Sequence, residues 1–135
     1  MAARTATVKG IRLVRGDDSA MSAETDNTRT HYAEVSLAND TASTVIGGTD
    51  TLDLDLSTGI QNSRRDGKTV TVRSAAVCIP ALVGSTFYTA TNSLSSNTIS
   101  LTPKLAADWT TNATLPANTT ATNRPFTVLV VYTVA

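Results

Sequence analysis

The stretch FTVLVVYTVA, residues 126–135, decides the fold that this sequence predicts. Successive side chains of an extended strand point to opposite faces, so every second residue shares a face. One face of this strand is wholly apolar and consists of Phe126, Val128, Val130, Tyr132 and Val134. The other face carries Leu129 and Val131 between threonines. Because neither face suits water, we expect this strand in the middle of a sheet that is covered on both sides.

The rest of the chain predicts further strands and almost no helix. Seven more segments alternate apolar with polar residues or are rich in threonine and valine, which favour strands. They span residues 5–15, 30–38, 41–46, 51–56, 68–79, 85–91 and 98–102. Gly10 interrupts the alternation of the first segment and predicts a bulge there, whereas residues 57–62 read as a loop.

One short helix is predicted after the pair Thr102-Pro103, with threonine as its cap and proline at its first position. It would span Pro103–Trp109 and pack Leu105 against Trp109. About seven to eight strands with at most one short helix indicate an all-β protein, an antiparallel β-sandwich or jelly roll.

The length of 135 residues predicts a single domain, residues 1–135. Within it, residues 16–29 (GDDSAMSAETDNTR) are polar, acidic and without period, which is typical of a long loop or of an arm that orders on a partner. We therefore expect residues 1–29 to form an extended N-terminal arm; the alternative is a compact monomer in which the N-terminus simply adds an edge strand. No apolar segment follows Met1, and the longest apolar run is too short to span a bilayer, so we expect a soluble protein without a secretory signal.

Composition and charge point to a protein that touches other protein. The chain holds 25 threonines, only 16% charged residues and only 4% aromatic residues. Its charges are segregated, with net +4 over residues 1–15, net −8 over 17–55 and net +4 over 64–124. Opposite blocks can pair within the fold or between neighbouring copies, and a chance distribution over a solvated surface is the alternative.

No pattern for catalysis or metal binding stands out. His31 is the only histidine and Cys78 the only cysteine, which leaves no zinc site of usual spacing, and no G-x-S-x-G motif is present. Asp53 and Asp55 alternate with leucines, as expected on the solvated face of an amphipathic strand. Weak calcium binding or glycoside chemistry by these carboxylates is the alternative. We predict no enzyme, no catalytic residue and no cofactor.

Nucleic acid is not the partner that we expect. Arg64, Arg65, Lys68 and Arg73 cluster near a predicted hairpin, and such a patch can bind phosphate. The chain as a whole carries no net charge, however, and it offers no ladder of aromatic residues for stacking on bases.

A short, threonine-rich all-β chain of this kind resembles the small cement or decoration proteins of tailed-bacteriophage capsids. The likeness rests on the irregular first third, the strand at 68–79, the hairpin region 85–102 and the terminal strand 126–135. It implies a structural virion protein, made in the host cytoplasm, that sits on the outer capsid surface as a homotrimer and binds the major capsid protein. Membranes play no part in this function.

The resemblance maps no contact residue onto this sequence, but if the chain decorates a capsid, its charge and strand patterns suggest which residues make contact. Residues 4–29 would form the capsid-facing arm, and the less buried face of the terminal strand would lie under a second sheet or against another subunit. The interface residues predicted on this basis are Arg4, Lys9, Arg12, Arg15, Asp17, Asp18, Leu129 and Val131.

Two other functions stay open. A carbohydrate- or receptor-binding β-sandwich of a phage fibre would need exposed aromatic side chains, for which Tyr32, Tyr88 and Trp109 are available. A self-assembling viral coat protein is the second alternative. The lack of predicted long helices argues against the small RNA-phage type of coat.

Overall fold

The terminal stretch forms a central strand, as predicted. A computed structural model of the chain describes residues 2–14, 30–39, 44–117 and 123–135. The described elements are β1 (Ala2–Thr5), β2 (Thr7–Val14), β3 (His31–Ala38), β4 (Val45–Ile46), β5 (Asp50–Asp55), α1 (Leu56–Arg64), β6 (Val70–Ile79), β7 (Ala81–Val83), β8 (Thr86–Ser95), β9 (Thr98–Leu105), β10 (Thr114–Leu115) and β11 (Phe126–Val134). β11 lies between β3 and β6 in a four-stranded sheet of order β2-β3-β11-β6.

The apolar face of β11 builds the core. The predicted inward residues, from Phe126 to Val134, are each at most 3% exposed. They pack with Ala33, Val35 and Leu37 of β3, which were also predicted to point inward and are buried. Burying one large apolar side chain contributes about 1.5–3 kcal/mol, so this face alone dominates the stability of the sheet.

A second sheet shares this core. It has five strands in the order β1-β5-β9-β8-β7, and its Leu52, Ile99 and Leu101 join the same cluster of buried side chains. At two places a single residue carries the chain directly from one sheet to the other, the buried Ala6 between β1 and β2 and Pro80 between β6 and β7. A separate pair, β4 with β10, completes the strands.

The predicted all-β class is confirmed, and its finer topology stays a prediction. All pairings but one in the three sheets are antiparallel, and β1 pairs with β5 in parallel. The bulge expected at Gly10 is present, because the register of β2 against β3 shifts between Val8 and Gly10.

The outer face of β11 differs from the prediction. We expected both faces of this strand to be covered, but Leu129 is 38% exposed and no described segment lies over it. The four-stranded sheet therefore has one face in the core and one face turned outward, as antiparallel sheets often do.

The first half of the predicted arm belongs to the fold. Residues 2–14 supply β1 to one sheet and β2 to the other, so an arm of the kind expected for residues 1–29 would have to begin after Val14. Residues 15–29 lie outside the described part of the chain.

The one described helix lies where a loop was predicted. Asp55 caps α1, its Oδ1 accepting a hydrogen bond from the Ser57 amide at 2.9 Å, and Leu56 and Ile60 bury one face. The prediction failed because the helical sequence LSTGIQNSR holds several weak helix formers, so capping and packing outweigh propensity here. A Cβ at Gly59 would lie 2.5 Å from Ile11 Cδ1, the end of that side chain, which would have to shift to make room.

The helix predicted at Pro103–Trp109 is wrong. β9 continues through Pro103 to Leu105, and Trp109 lies in the following turn. Proline is tolerated in this strand because the pairing of β5 with β9 ends at Leu101, which leaves Pro103 with β8 as its partner strand.

Side chains close the free edge of β6. The Gln61 side-chain oxygen accepts from the Val70 amide, and the Asn97 oxygen accepts from the Val72 amide, both at 2.9 Å. Asn92 Nδ2 donates to the Ala75 carbonyl at 2.8 Å. Three of the backbone groups that a foreign strand would need at this edge are therefore already hydrogen-bonded.

Replacing the cap of α1 tests how the helix is held. We expect Asp55→Ala to lower the free energy of unfolding by about 1 kcal/mol, because the Ser57 amide loses its acceptor. Urea denaturation measures the difference. Asp55→Asn is the matched control, since asparagine caps about as well as aspartate, and equal losses in both variants would contradict the capping role.

Candidate functional site

The single histidine lies in a structural cluster. His31 is 7% exposed and stacks on Tyr132 with ring centroids 5.4 Å apart. The hydroxyl of Tyr132 accepts from Arg64 Nη1 at 3.2 Å, and the guanidinium lies 5.8 Å from the ring centroid. Arg64 also donates twice to Asp66 Oδ2, from Nε at 3.0 Å and from Nη2 at 2.7 Å. These contacts tie α1 to β11 and to the start of β3.

The carboxylates of β5 have separate structural tasks. Asp55 caps α1. Asp50 is buried, accepts from the Ile46 amide at 3.2 Å and lies 4.0 Å from Arg4 Nη2. Asp53 is half-buried, and its Oδ1 accepts no hydrogen bond from the described residues. Among the described residues, no three His, Cys, Asp or Glu side chains lie close enough together to hold a metal ion.

The basic residues predicted at an interface lie largely on the fold's own strands. Arg4 is next to Asp50, and Arg12 forms an ion pair with Glu34 at 3.0 Å, so the basic first block meets the acidic second block within the molecule. Lys9 is exposed on β2. Arg15, Asp17 and Asp18 lie outside the described residues. At two positions at least, the segregated charges thus pair within the folded molecule.

The predicted hairpin is absent here, because α1 precedes β6 and the strands β5 and β6 lie in different sheets. The basic residues of this region, Arg64, Arg65, Lys68 and Arg73, are partly engaged in internal contacts. Arg64 holds Tyr132 and Asp66, and Arg73 Nε donates to Thr133 Oγ1 at 3.1 Å. Arg65 and Lys68 follow on the turn after α1. The geometry therefore does not support phosphate binding by this group of basic residues.

A first candidate surface lies on the outward face of the four-stranded sheet. Val131 stands directly opposite Tyr32, which in turn stands opposite Val14, and Leu129 is one row away on β11. Directly opposite residues on neighbouring strands project to the same face. We name this group, Val14, Tyr32, Leu129 and Val131, the outer-sheet patch. Two predicted interface residues, Leu129 and Val131, belong to it.

A second candidate surface surrounds the corner between β6 and β7. Trp109 is 70% exposed and Phe87 is 50% exposed. A groove of about 540 Å³ runs beside Phe87 and is lined by Pro80, Leu105, Ala106 and Ala107 together with Ser85 and Thr86. A smaller hollow of about 190 Å³ lies beside Trp109 and shares Pro80 and Ala106 with the groove. We name this surface the aromatic patch, meaning Trp109, Phe87 and the lining of both hollows.

The loop that carries Trp109 is tightly hydrogen-bonded. The Asp108 carboxylate accepts from the amides of Thr110 and Thr111 at 3.1 and 3.0 Å and also from the Thr111 hydroxyl. The hydroxyl bond of Thr111 and its amide bond hold the pKa of Asp108 below its ordinary value. Trp109 donates its amide to the Leu105 carbonyl at 3.0 Å and has a φ of 68°. Positive φ is unusual for a bulky residue and marks stored strain.

Sequence reasoning found this second surface only in part, because it named Trp109 among the aromatic residues available to a carbohydrate-binding sandwich. It placed Trp109 on a helix against Leu105, and it did not single out Phe87. The available signal was that the only tryptophan of the chain stands in a polar stretch, ADWTTN, without apolar neighbours to bury it. Tyr88, which was considered as an exposed aromatic residue, packs against the core instead.

Comparison with known proteins adds no relative. No protein-family model, no curated protein and no solved structure matches this chain. No helix among the described residues is long and apolar enough to cross a membrane.

The Arg64–Asp66 pair predicts a dependence of stability on pH. Burial raises the pKa of Asp66, but hydrogen bonds from Arg64 and from the Lys68 amide, with the nearby positive charges, outweigh it, so the pKa lies below the ordinary 3.8. A depressed folded-state pKa contributes stability above the unfolded pKa, and this contribution disappears as the pH falls through the folded value.

We therefore expect the free energy of unfolding to fall more steeply below about pH 4 in the wild type than in Asp66→Asn, which cannot titrate at this position. Urea denaturation between about pH 2 and pH 7 measures both slopes. Parallel curves for the two proteins would show that the pair does not contribute.

Proposed function

We propose that this chain is a structural virion protein of the decoration type, which binds the outer surface of a phage head through its outer-sheet patch and stabilises contacts between capsid subunits. The observation that carries the proposal is the uncovered face of β11. Leu129 and Val131 occupy the middle of the sheet, where the sequence pattern predicts cover, and no described part of the chain provides it.

The outer-sheet patch has the composition of a modest protein contact. Tyr32 is 45% exposed and is flanked on the sheet by Val14 and Val131. Tyrosine is enriched at interfaces because it combines a large apolar ring with a polar end. The Arg12–Glu34 pair in the neighbouring row supplies polar groups beside the apolar centre, which is the usual arrangement of a specific interface.

The mechanism is associative. A protein that binds only the assembled head shifts the equilibrium towards the assembled state by mass action. Standard interfaces bury about 800 Å² per partner, so a contact over one face of a four-stranded sheet is of a suitable scale. Consistent with this, His31 and the carboxylates Asp50 and Asp55 are engaged in contacts that hold the fold.

The strongest alternative is a carbohydrate-binding module of a fibre, and Trp109 favours it. An exposed indole on a hydrogen-bonded loop, with the hydroxyl residue Thr89 lining the same hollow, offers a platform for a sugar ring. A glycan array tests it directly, and glycan binding that is lost in Trp109→Ala would favour this alternative over decoration.

A charge on the outer-sheet patch tests the decoration proposal. We expect Leu129→Glu to reduce co-sedimentation with phage heads at least tenfold, because an unpaired carboxylate would be buried in the contact at a cost of roughly 1.4 kcal/mol or more. On this proposal the heads are those of the particle to which the chain belongs, purified without it. Thr91→Glu, an exposed position on the other sheet, is the matched control and should bind as the wild type does.

Unchanged binding of Leu129→Glu would remove the outer-sheet patch from the proposal, and failure of the wild type to sediment with heads would remove decoration itself. The predicted arm needs its own variant, in which a Gly-Ser linker of equal length replaces residues 15–29. Deleting residues 1–29 would also remove β1 and β2 and so could not distinguish binding from folding.

A further inference from the structure

We propose that the aromatic patch joins two copies of this chain, with Trp109 of each copy seated in the groove beside Phe87 of the other. This proposal does not depend on decoration of a capsid. It rests on the shape, the charge and the rigidity of one surface of the free protein.

The shape is self-complementary. A projecting side chain, Trp109, and an open groove lie on the same surface, because the hollow beside Trp109 and the groove beside Phe87 share Pro80 and Ala106. When a projection and a recess lie side by side, a two-fold axis between them places each projection of one copy over the recess of the other. The result is a closed pair with both aromatic residues of both copies in the contact.

The groove is large enough for an indole. Its volume of about 540 Å³ lies within the range of about 300–1,000 Å³ that sites for drug-sized ligands occupy. A tryptophan side chain buries roughly 150–250 Å² when it enters such a site, which makes it a strong anchor. The lining of Leu105, Ala106 and Ala107 provides an apolar floor for the ring.

Charge favours a second copy as the occupant. None of the residues that line either hollow is charged, so two identical surfaces meet without burying a charge or opposing like charges. The residues that flank the lining segment along the chain, Lys104 and Asp108, have opposite signs. The chain also has a formal net charge of zero, so no long-range repulsion keeps copies apart.

The rigidity of the loop lowers the entropy lost on association. Asp108 fixes the turn through three hydrogen bonds, and Trp109 is held at positive φ while its ring remains in water. A pre-organised anchor loses less conformational freedom on binding than a mobile one. The strained backbone and the exposed indole of Trp109 contribute no stability to the free monomer. In the pair, the same rigid loop presents the indole to the groove of the other copy.

This contact joins two copies and so departs from the trimer that the resemblance to decoration proteins implies. It also uses a different surface from the outer-sheet patch. The two proposals can therefore fail separately.

Trp109 is the only tryptophan, so its fluorescence reports directly on this contact. We expect the emission maximum to shift to shorter wavelength as the concentration rises from about 0.1 to about 100 μM, because the exposed indole becomes buried in a complex of micromolar affinity. Sedimentation equilibrium over the same range should show the mass changing from one chain to two. A monomer at every concentration, or a dimer whose emission does not shift, would overturn the proposal.

Trp109→Gly separates association from folding. Glycine accepts the positive φ at this position, so the variant should unfold at the wild-type urea concentration or above it, while self-association weakens at least about 30-fold. Tyr32→Ser, which removes an exposed aromatic ring from the outer-sheet patch, is the control and should dimerise normally. Dimers or larger species that persist unchanged in Trp109→Gly would overturn the assignment, as would a trimer of the wild type.

Discussion

The alternation of β11 is the constraint on which the rest of the structure depends. Five of its side chains fill the core that the two sheets share, and the strand pairs with β3 on one side and β6 on the other. A shift of one residue in this register would exchange the two faces and place two threonines, Thr127 and Thr133, in the core. The sheet therefore has one acceptable register, and Leu129 and Val131 must point outward as a consequence. The outer-sheet patch is a by-product of the same pattern that builds the core.

Contacts or a bulge protect three of the described sheet edges, those of β6, β7 and β2, whereas the outer face of the four-stranded sheet is exposed at Leu129. Amide side chains satisfy the edge of β6, and Arg124 exchanges two backbone hydrogen bonds with Leu82 at the edge of β7. The edge strand β2 carries a bulge beside an exposed Lys9, and both features discourage the pairing of a foreign strand. Association through backbone ladders is thereby suppressed, and side-chain surfaces are left to determine which partners bind. This division suits a protein that must associate specifically without aggregating.

The sequence predicts the strands well. It does not predict α1, the continuation of β9 or the aromatic patch, and the reasons can be identified. β3 and β11 were predicted almost to the residue because alternation is a local property and their neighbours agree with it. α1 was missed because its stability comes from Asp55 and from burial of Leu56 and Ile60, not from helix propensity. The helix expected at Pro103–Trp109 rested on a cap signal, which the longer alternation of β9 outweighs. The aromatic patch could not be predicted, because Phe87, Leu105 and Trp109 come together only once β8 and β9 have paired.

If both patches bind, the outer-sheet patch and the aromatic patch together allow multivalent attachment, which neither patch allows alone. A contact centred on Leu129 and Val131 is modest in apolar content, and association loses several kcal/mol of rotational and translational freedom before any gain appears. If two chains are joined through Trp109, the second chain binds the same particle at an effective concentration that can reach the millimolar range when the geometry permits both contacts. Weak individual contacts then give firm attachment, while each single contact can still form and break during assembly. On both proposals, the polar, threonine-rich character of much of the remaining surface keeps unintended contacts weak.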